Sequence, residues 1–568
     1  MSTTISNDDN SNNEKDIVIR AGDDSYDSDN YCSSILSENE KDKIPQINND
    51  YNKNDDDDND DELPRVQMSK IKLDTLFFGL LFGVLLSALN MTIVATALPA
   101  IFNQFGSLEK IVWVAIADLF TATAFQPTYG KFADIFGRKI TVLSSILIFE
   151  TGSILSGAAS SINMLIVSRA ITGIGAGGFI GLTNIIIADI VSLKNRGKYM
   201  GLAGGVYAIG SILGPLLGGL FSDHLTWRWI FYINIPLGAL ITIFIILLLN
   251  IPSPPGSLEE KLKRVDWLGT LLIAISTISF LLPLQYGGIE HSWNSPLVIT
   301  LLILGVLGFV AFVYVETFIS IEPIVPVKLF KDRTIVACFA LNFFYSVGLY
   351  ENIFYVPLFF QMVDGDSATK SGTKLFSYVL GAVVSAIITG QIISRTPGHS
   401  YKIICVMGGA LMTIGGGLTF GFNEDTNSRD QVGYLLISGL GAGSVFQTGL
   451  LAAQAMVKLE DIATVTSLIT FFRSLGSLIG LSIFSSIFNN FLIKNTREKF
   501  PSFKIDQFTG DFSTLKALPK VLKSPILSIF VKSFRNVFLV GFIAGGLLLF
   551  SSLFMKNYIR NGREKIRK

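Results

Sequence analysis

The sequence predicts an all-α polytopic membrane protein: fourteen transmembrane helices, arranged as two six-helix bundles with two further helices inserted between them. Three observations predict it. Only 16% of the 568 residues are charged and 49% are hydrophobic, with a mean hydropathy of +0.50, whereas a soluble chain carries about 25% charge. Apolar windows of about 20 residues, the length that crosses a bilayer core, recur along the chain. Glycine landmarks in the first six windows reappear in the last six.

The formal net charge of zero averages two unlike parts. Residues 1–64 hold 19 acidic and 5 basic residues, and the remainder 26 and 40. The first part (NDDNSNNEKD, later NDDDDNDDEL) is too poor in large apolar residues to offset its ordering entropy, and 1–72 reads as a disordered acidic tail. It lacks the basic-then-apolar pattern of a signal peptide, so the first apolar helix is expected to act as signal anchor. The windows begin near residues 75, 111, 140, 163, 200, 229, 267, 297, 334, 374, 402, 433, 462 and 533. Lysines and arginines concentrate in alternate short loops, among them Lys131, Arg138 and Lys139, then Lys194, Arg196 and Lys198, then Lys261, Lys263 and Arg264. By the positive-inside bias these loops and both termini are cytoplasmic. The expected division is an N-terminal bundle at 73–250, a linker with the two extra helices at 251–333, and a C-terminal bundle at 334–556. The last contains a long outer loop at 491–532 and is followed by a basic cytoplasmic tail at 557–568.

The run GIGAGG, Gly173–Gly178, reads as a dinucleotide-binding turn, and GLGAGS at Gly439–Ser444 nearly repeats it. Both fall in the middle of apolar windows, without the strand and exposed turn that such a site needs. Small residues at this spacing let membrane helices approach closely. Gly173 and Gly439 lie 266 residues apart, as do Gly210 and Gly476, while Gly130 and Gly390 lie 260 apart. This register points to duplicated halves around a midplane site. Three cysteines (Cys32, Cys338, Cys405) and three histidines (His224, His291, His399) show no ligand or disulfide spacing, so neither metal nor cofactor is expected. No phosphate-binding loop of the G-x-x-x-x-G-K-[ST] type occurs, which argues against an ATP-driven pump, an enzyme, or a nucleotide or nucleic-acid partner.

Several motifs resemble the major facilitator superfamily, in particular its fourteen-span drug:proton antiporter branch of fungal type, which is related to vacuolar basic amino acid transporters. They are GKFADIFGRK (Gly130–Lys139), RAITGIGAGG from Arg169, GGVYAIGSILGPLLGG (Gly204–Gly219), WRWIFYINIPLG and LNMTIVATALP. The resemblance implies a transporter working by alternating access on small molecules and protons, and a monomer. It also implies a conformational latch of Gly130, Asp134, Gly137, Arg138 and Lys139. Physically, Gly130 permits close helix approach, and Asp189, at the end of the fourth window, is placed to join Arg138. Such a network forms in one state and breaks in the other; the alternative is that these charges only set topology. In the antiporter motif, Pro215 removes a backbone donor, and Gly210, Gly214, Gly218 and Gly219 make a smooth helix face. Its role is packing or, by resemblance, prevention of leak or setting of the transport direction.

Ionisable groups inside membrane helices are costly and are read as functional candidates. Here they are Asp118, Glu150, Arg169, Glu351 and Arg473, with Glu316 at the membrane interface. The family's first helix usually has Asp before the T-I-V-A stretch, where this chain has Asn90. The acid is expected to have moved to Asp118, which either carries a proton or is permanently paired with Arg169. Glu351, among aromatic residues, suits an organic cation or a proton. Arg169 and Arg473 would counterbalance the acids, and Asn90, Gln126, Gln447 and Arg473 are candidates for the cavity wall. The expected function is a proton-coupled antiporter exporting small cationic or amphipathic molecules across the plasma membrane. A vacuolar basic amino acid transporter is the alternative, and a non-transporting membrane sensor the third class.

Overall fold

The computed structural model describes residues 68–556 except 107, 288–290, 397–399 and 500–519. Most of the acidic tail, much of the outer loop and the basic tail at 557–568 therefore lie outside the described residues. Fourteen long helices follow one another: α1 (Lys70–Phe105), α2 (Leu108–Phe136), α3 (Arg138–Gly157), α4 (Ile162–Ile190), α5 (Leu193–His224), α6 (Trp229–Leu248), α7 (Trp267–Tyr286), α8 (Pro296–Phe318), α9 (Arg333–Met362), α10 (Ala368–Arg395), α11 (Tyr401–Phe420), α12 (Ser428–Ala455), α13 (Ile462–Lys499) and α14 (Lys520–Leu553). Among the described residues thirteen helices are long and apolar enough to cross a membrane. The helix outside that group, α2, matches them in length at 29 residues.

Local chemistry sets the ends of these helices. At the start of α8 the Ser295 side chain accepts from the Val298 N–H and Pro296 occupies the first turn, where its missing donor costs nothing. At the end of α1, Gly106 takes φ 67° and its N–H reaches the Phe102 carbonyl, a left-handed cap that glycine adopts without strain. A short helix, Leu258–Arg264, precedes α7 and is closed by a Ser257–Glu260 capping box.

The repeated glycines occupy equivalent contacts. Gly173 and Gly177 press α4 onto α2 at Asp118 and Ala122, and Gly439 and Gly443 press α12 onto α10 at Tyr378 and Ala382. Gly175 meets α3 at Phe149, as Gly441 meets α11 at Met412. Gly210 meets α1 at Ala88, as Gly476 meets α9 at Phe343. A side chain at any of these eight would overlap a neighbouring helix, and close packing is what holds helices together in lipid. GIGAGG is thus helical throughout, and no β-strand occurs among the described residues.

The halves meet along two seams, α2 with α13 and α5 with α10. Gly130 of α2 fits against the Ala463 carbonyl and Ser467, and Gly390 of α10 against Gly197 and Gly201 of α5. The third landmark pair thus marks equivalent positions on the two seams, both near the end of the bundle that carries the 130–139 loop. Helices α7 and α8 pack on each other, and α7 lies against α2 and α13 beside one seam. Glu316, expected at the interface, is buried and accepts from the Val325 N–H at 3.0 Å. The turn between α8 and α9 folds back over it and supplies the donor that burial requires.

Candidate functional site

Three helices of the first half bring three polar side chains together inside the bundle. Asn90 on α1 donates from Nδ2 to Asp118 Oδ2 at 2.8 Å. Arg169 on α4 donates from Nη2 to the same oxygen at 2.9 Å, from Nη1 to Asn90 Oδ1 at 3.0 Å, and from Nε to the Val114 carbonyl at 3.0 Å. All three are buried. The asparagine contributes what an aspartate could not, a donor to Asp118 and an acceptor for Arg169 at once. Asp118 Oδ1 is enclosed without a hydrogen-bond partner among the described residues.

Asn90 and Asp118 open onto a cavity of about 90 Å³ whose wall includes Gln126, Tyr207 and, from the other half, Tyr350 and Arg473. A second cavity of about 50 Å³ adjoins it, sharing Tyr207, Leu349 and Phe446. Arg473 on α13 donates from Nη2 to Asn342 Oδ1 at 2.7 Å and to the Phe446 carbonyl at 2.6 Å. Its guanidinium stands 4.3 Å above the Phe446 ring. Gln447, next in the chain to Phe446, is buried but is not part of either wall.

Glu351 lies elsewhere. It opens a π-helical turn, Glu351–Tyr355, within α9. Its carboxyl presses on α14 at Gly541, where any side chain would collide with it, and Oε1 has no partner among the described residues. Glu150 on α3 likewise faces a glycine, Gly238 of α6, with neither oxygen hydrogen-bonded among the described residues.

At the loop end, Arg138 bridges two helices. Its Nε donates to Asp189 Oδ2 of α4 at 2.6 Å, and its Nη1 to Asp134 Oδ1 of α2 at 2.8 Å. Gly137 takes φ 93° to turn the chain between α2 and α3, and Lys139 reaches the Ile246 carbonyl at 2.8 Å. In the antiporter motif, Gly210, Gly214 and Gly218 form a stripe one turn apart that seats α1 at Ala88, Thr92 and Ile93. Gly219 faces open space, and Pro215 continues within α5.

The profile of the Major Facilitator Superfamily matches residues 80–481. The chain belongs to the major facilitator superfamily. The efflux pump dotC of Dothistroma septosporum is 38% identical over 442 residues, covering 78% of this chain and 75% of that protein. The efflux pump aflT of Aspergillus parasiticus is 36% identical over 432 residues, covering 75% of this chain and 84% of the pump. Among solved structures, the proton:xylose symporter XylE aligns with a TM-score of 0.58 at 13% identity over 86% of this chain and 96% of its own. The human organic anion transporter MFSD10 (TETRAN) aligns at 0.54 and 16% identity, over 83% and 99%. These structural likenesses show the fold alone.

Sequence reading of this major facilitator protein passed over three features. Tyr207, inside the quoted antiporter motif, stacks on Phe446 across the halves, with centroids 5.5 Å apart and planes at 25°. Glu322, just after α8, bridges Lys131 of α2 at 2.9 Å and Arg264 at 2.7 Å, while Lys328 pairs with Asp461 at 2.9 Å. Lys374 gathers Asp364 and Gln431 at 2.8 and 2.7 Å. Each joins residues far apart in sequence, so no local motif signals it.

Proposed function

We propose that this transporter is a proton-coupled antiporter that exports small organic molecules by alternating access, as a monomer in the plasma membrane with both termini cytoplasmic. The observation that carries the reading is the Asn90–Asp118–Arg169 cluster on the cavity between the halves. Asp118 is an acid whose charge is matched by a cation and whose free oxygen, Oδ1, can accept a proton. Protonation would cancel the attraction that ties α2 to α4 and leave Arg169 uncompensated in a low-dielectric interior, where an unmatched charge costs several kcal/mol. A proton thereby changes the relative energy of two packings of the same helices, which is what coupling requires. The ion pairs of Arg138 with Asp134 and Asp189, and the close glycine packing on the seams, support reading this conformation as shut at the end that carries the 130–139 loop. Relatives named as efflux pumps at 34–39% identity support export over vacuolar uptake of basic amino acids.

Two measurements in proteoliposomes test this. An imposed pH gradient should drive substrate flux in the wild type, and Asp118→Asn should reduce that flux at least tenfold, with thermal unfolding of the purified variant measuring what the unmatched Arg169 costs. Full pH-driven transport by Asp118→Asn would sink the coupling assignment. Saturable lysine or arginine flux in the absence of any flux of aromatic dye would move the protein to the vacuolar branch.

A further inference from the structure

The cavity wall is rich in donors that lack a good acceptor. Arg473 Nε has no hydrogen-bond partner among the described residues, and neither of its two Nη2 partners is a carboxylate. The hydroxyls of Tyr207 and Tyr350 both donate to the thioether of Met91, at 3.4 and 3.0 Å. Sulfur is a weak acceptor, so two strong donors from opposite halves converge on a poor partner. The acid on this wall, Asp118, has its charge matched by Arg169, with Asn90 bonded to the same oxygen. The net charge facing the cavity is therefore positive, and it belongs to Arg473. The aromatic surface is layered as well: the guanidinium lies on Phe446, and Phe446 stacks on Tyr207.

Resting on the transport reading above, we propose that the cavity selects anionic aromatic molecules, a flat ring system bearing a carboxylate or phenolate, with Arg473 as the substrate-contacting residue. The oxygen anion takes the unpartnered edge of the guanidinium and receives the Tyr207 and Tyr350 hydroxyls in place of Met91. The ring lies along the Phe446–Tyr207 stack. Charge-assisted bonds of this kind are short and strong, and an arginine fork suits a carboxylate better than a point-charge lysine does. At about 90 Å³ the cavity is smaller than the several hundred Å³ that a drug-sized ligand needs. The substrate therefore enters when the halves part, and closure brings the donors of both halves onto it. This assignment reverses the sign of the cationic substrate expected from Glu351, whose carboxyl is turned away toward α14.

Fluorescein and rhodamine 123 share a xanthene ring and differ in charge, so they isolate the property in question. Binding of each to the full-length protein in nanodiscs is read by fluorescence polarisation, for wild type, Arg473→Gln and Arg473→Lys, with thermal unfolding as a check on folding. Wild type should hold fluorescein at least tenfold more tightly than rhodamine 123. Arg473→Gln should bring the ratio close to one, and Arg473→Lys should retain part of the preference. A merely structural arginine would weaken both dyes equally. Absence of fluorescein binding by wild type, tighter binding of rhodamine 123, or an unchanged ratio in Arg473→Gln would each overturn the proposal. Arg473-dependent fluorescein binding without proton-driven flux would uphold it and defeat the transport reading instead.

Discussion

The two halves share a helix arrangement and differ in the charge that each brings to the shared cavity. In the first half, Arg169 and Asp118 are held 2.9 Å apart with Asn90 bonded to both. In the second, Glu351 presses on Gly541 and Arg473 lies over Phe446, each with no ion-pair partner among the described residues. Duplication thus preserved the small residues that let helices pack and did not preserve the charges. Packing is a constraint on both copies alike, since a side chain at Gly173 or at Gly439 overlaps a neighbour. Charge is needed only where each copy contributes to the shared cavity, so the two copies could specialise. One half holds a compensated pair, poised to be upset by a proton, and the other holds a bare cation.

The sharpest way to break this contrast is to remove each arginine. Arg169→Gln strands Asp118 in the interior and should destabilise the protein by about 3–5 kcal/mol, with Asp118→Asn in the same chain restoring about 1–3 kcal/mol. Arg473→Gln strands no carboxylate and should cost about 1–3 kcal/mol, from its two lost hydrogen bonds. Thermal unfolding of the purified variants measures both, and strict additivity of the Asp118 and Arg169 changes would mean that the pair is not coupled.

A second variant sharpens the account of Glu351. Gly541→Ala places a methyl where its carboxyl now lies and should cost about 1–3 kcal/mol through overpacking. Glu351→Ala in the same chain should recover most of that loss. Failure to recover would mean that the α9–α14 contact is not set by this carboxyl.

The smallest effect concerns the ion pairs around the inserted helices. Burial pushes the Glu322 carboxyl up, but hydrogen bonds from Arg264 and Lys131 outweigh it and hold the group below its ordinary 4.5. An acid with a depressed pKa adds stability above its unfolded value and loses it as pH falls through the folded one. The stabilising difference between wild type and Glu322→Gln should therefore be full above pH 4.5 and be lost as pH falls from there through the lower folded value. Because the site is largely open to solvent, the difference should be under about 1 kcal/mol. Melting curves from pH 6 downward decide it; a difference that does not decline as pH falls would assign the effect to packing.

Much of this was legible in the residues. Helix positions follow from apolar windows, because lipid leaves the backbone no other partners. The glycine offsets reported the repeat, because close approach tolerates few substitutes. Asn90 and Asp118 stood out as polar residues inside apolar windows, and the structure hydrogen-bonds them to each other. What the sequence withheld depends on rotation about helix axes. An aromatic run around Glu351 reads as suited to an organic cation or a proton, but the helix faces the other way at that residue, and the carboxyl meets α14 at Gly541. Nor does any spacing reveal that Phe446 of α12 would lie beneath Arg473 of α13, with Tyr207 of α5 behind it. The first contact appears only once α12 and α13 have packed, and the second only once the halves have docked.

The pairs made by Glu322 and Lys328 give the inserted helices a mechanical standing. Glu322 grips Lys131 of the first half, and Lys328, five residues before α9, grips Asp461 beside α13. The insertion is thus a strap buckled to both sides of the α2–α13 seam at the end where the halves are closed. Any rocking that parts them there must unbuckle one side. Both buckles are solvent-accessible ion pairs, which dissolved salt weakens. The freedom of that end to open is consequently set in part by the ionic strength of the solution that bathes it.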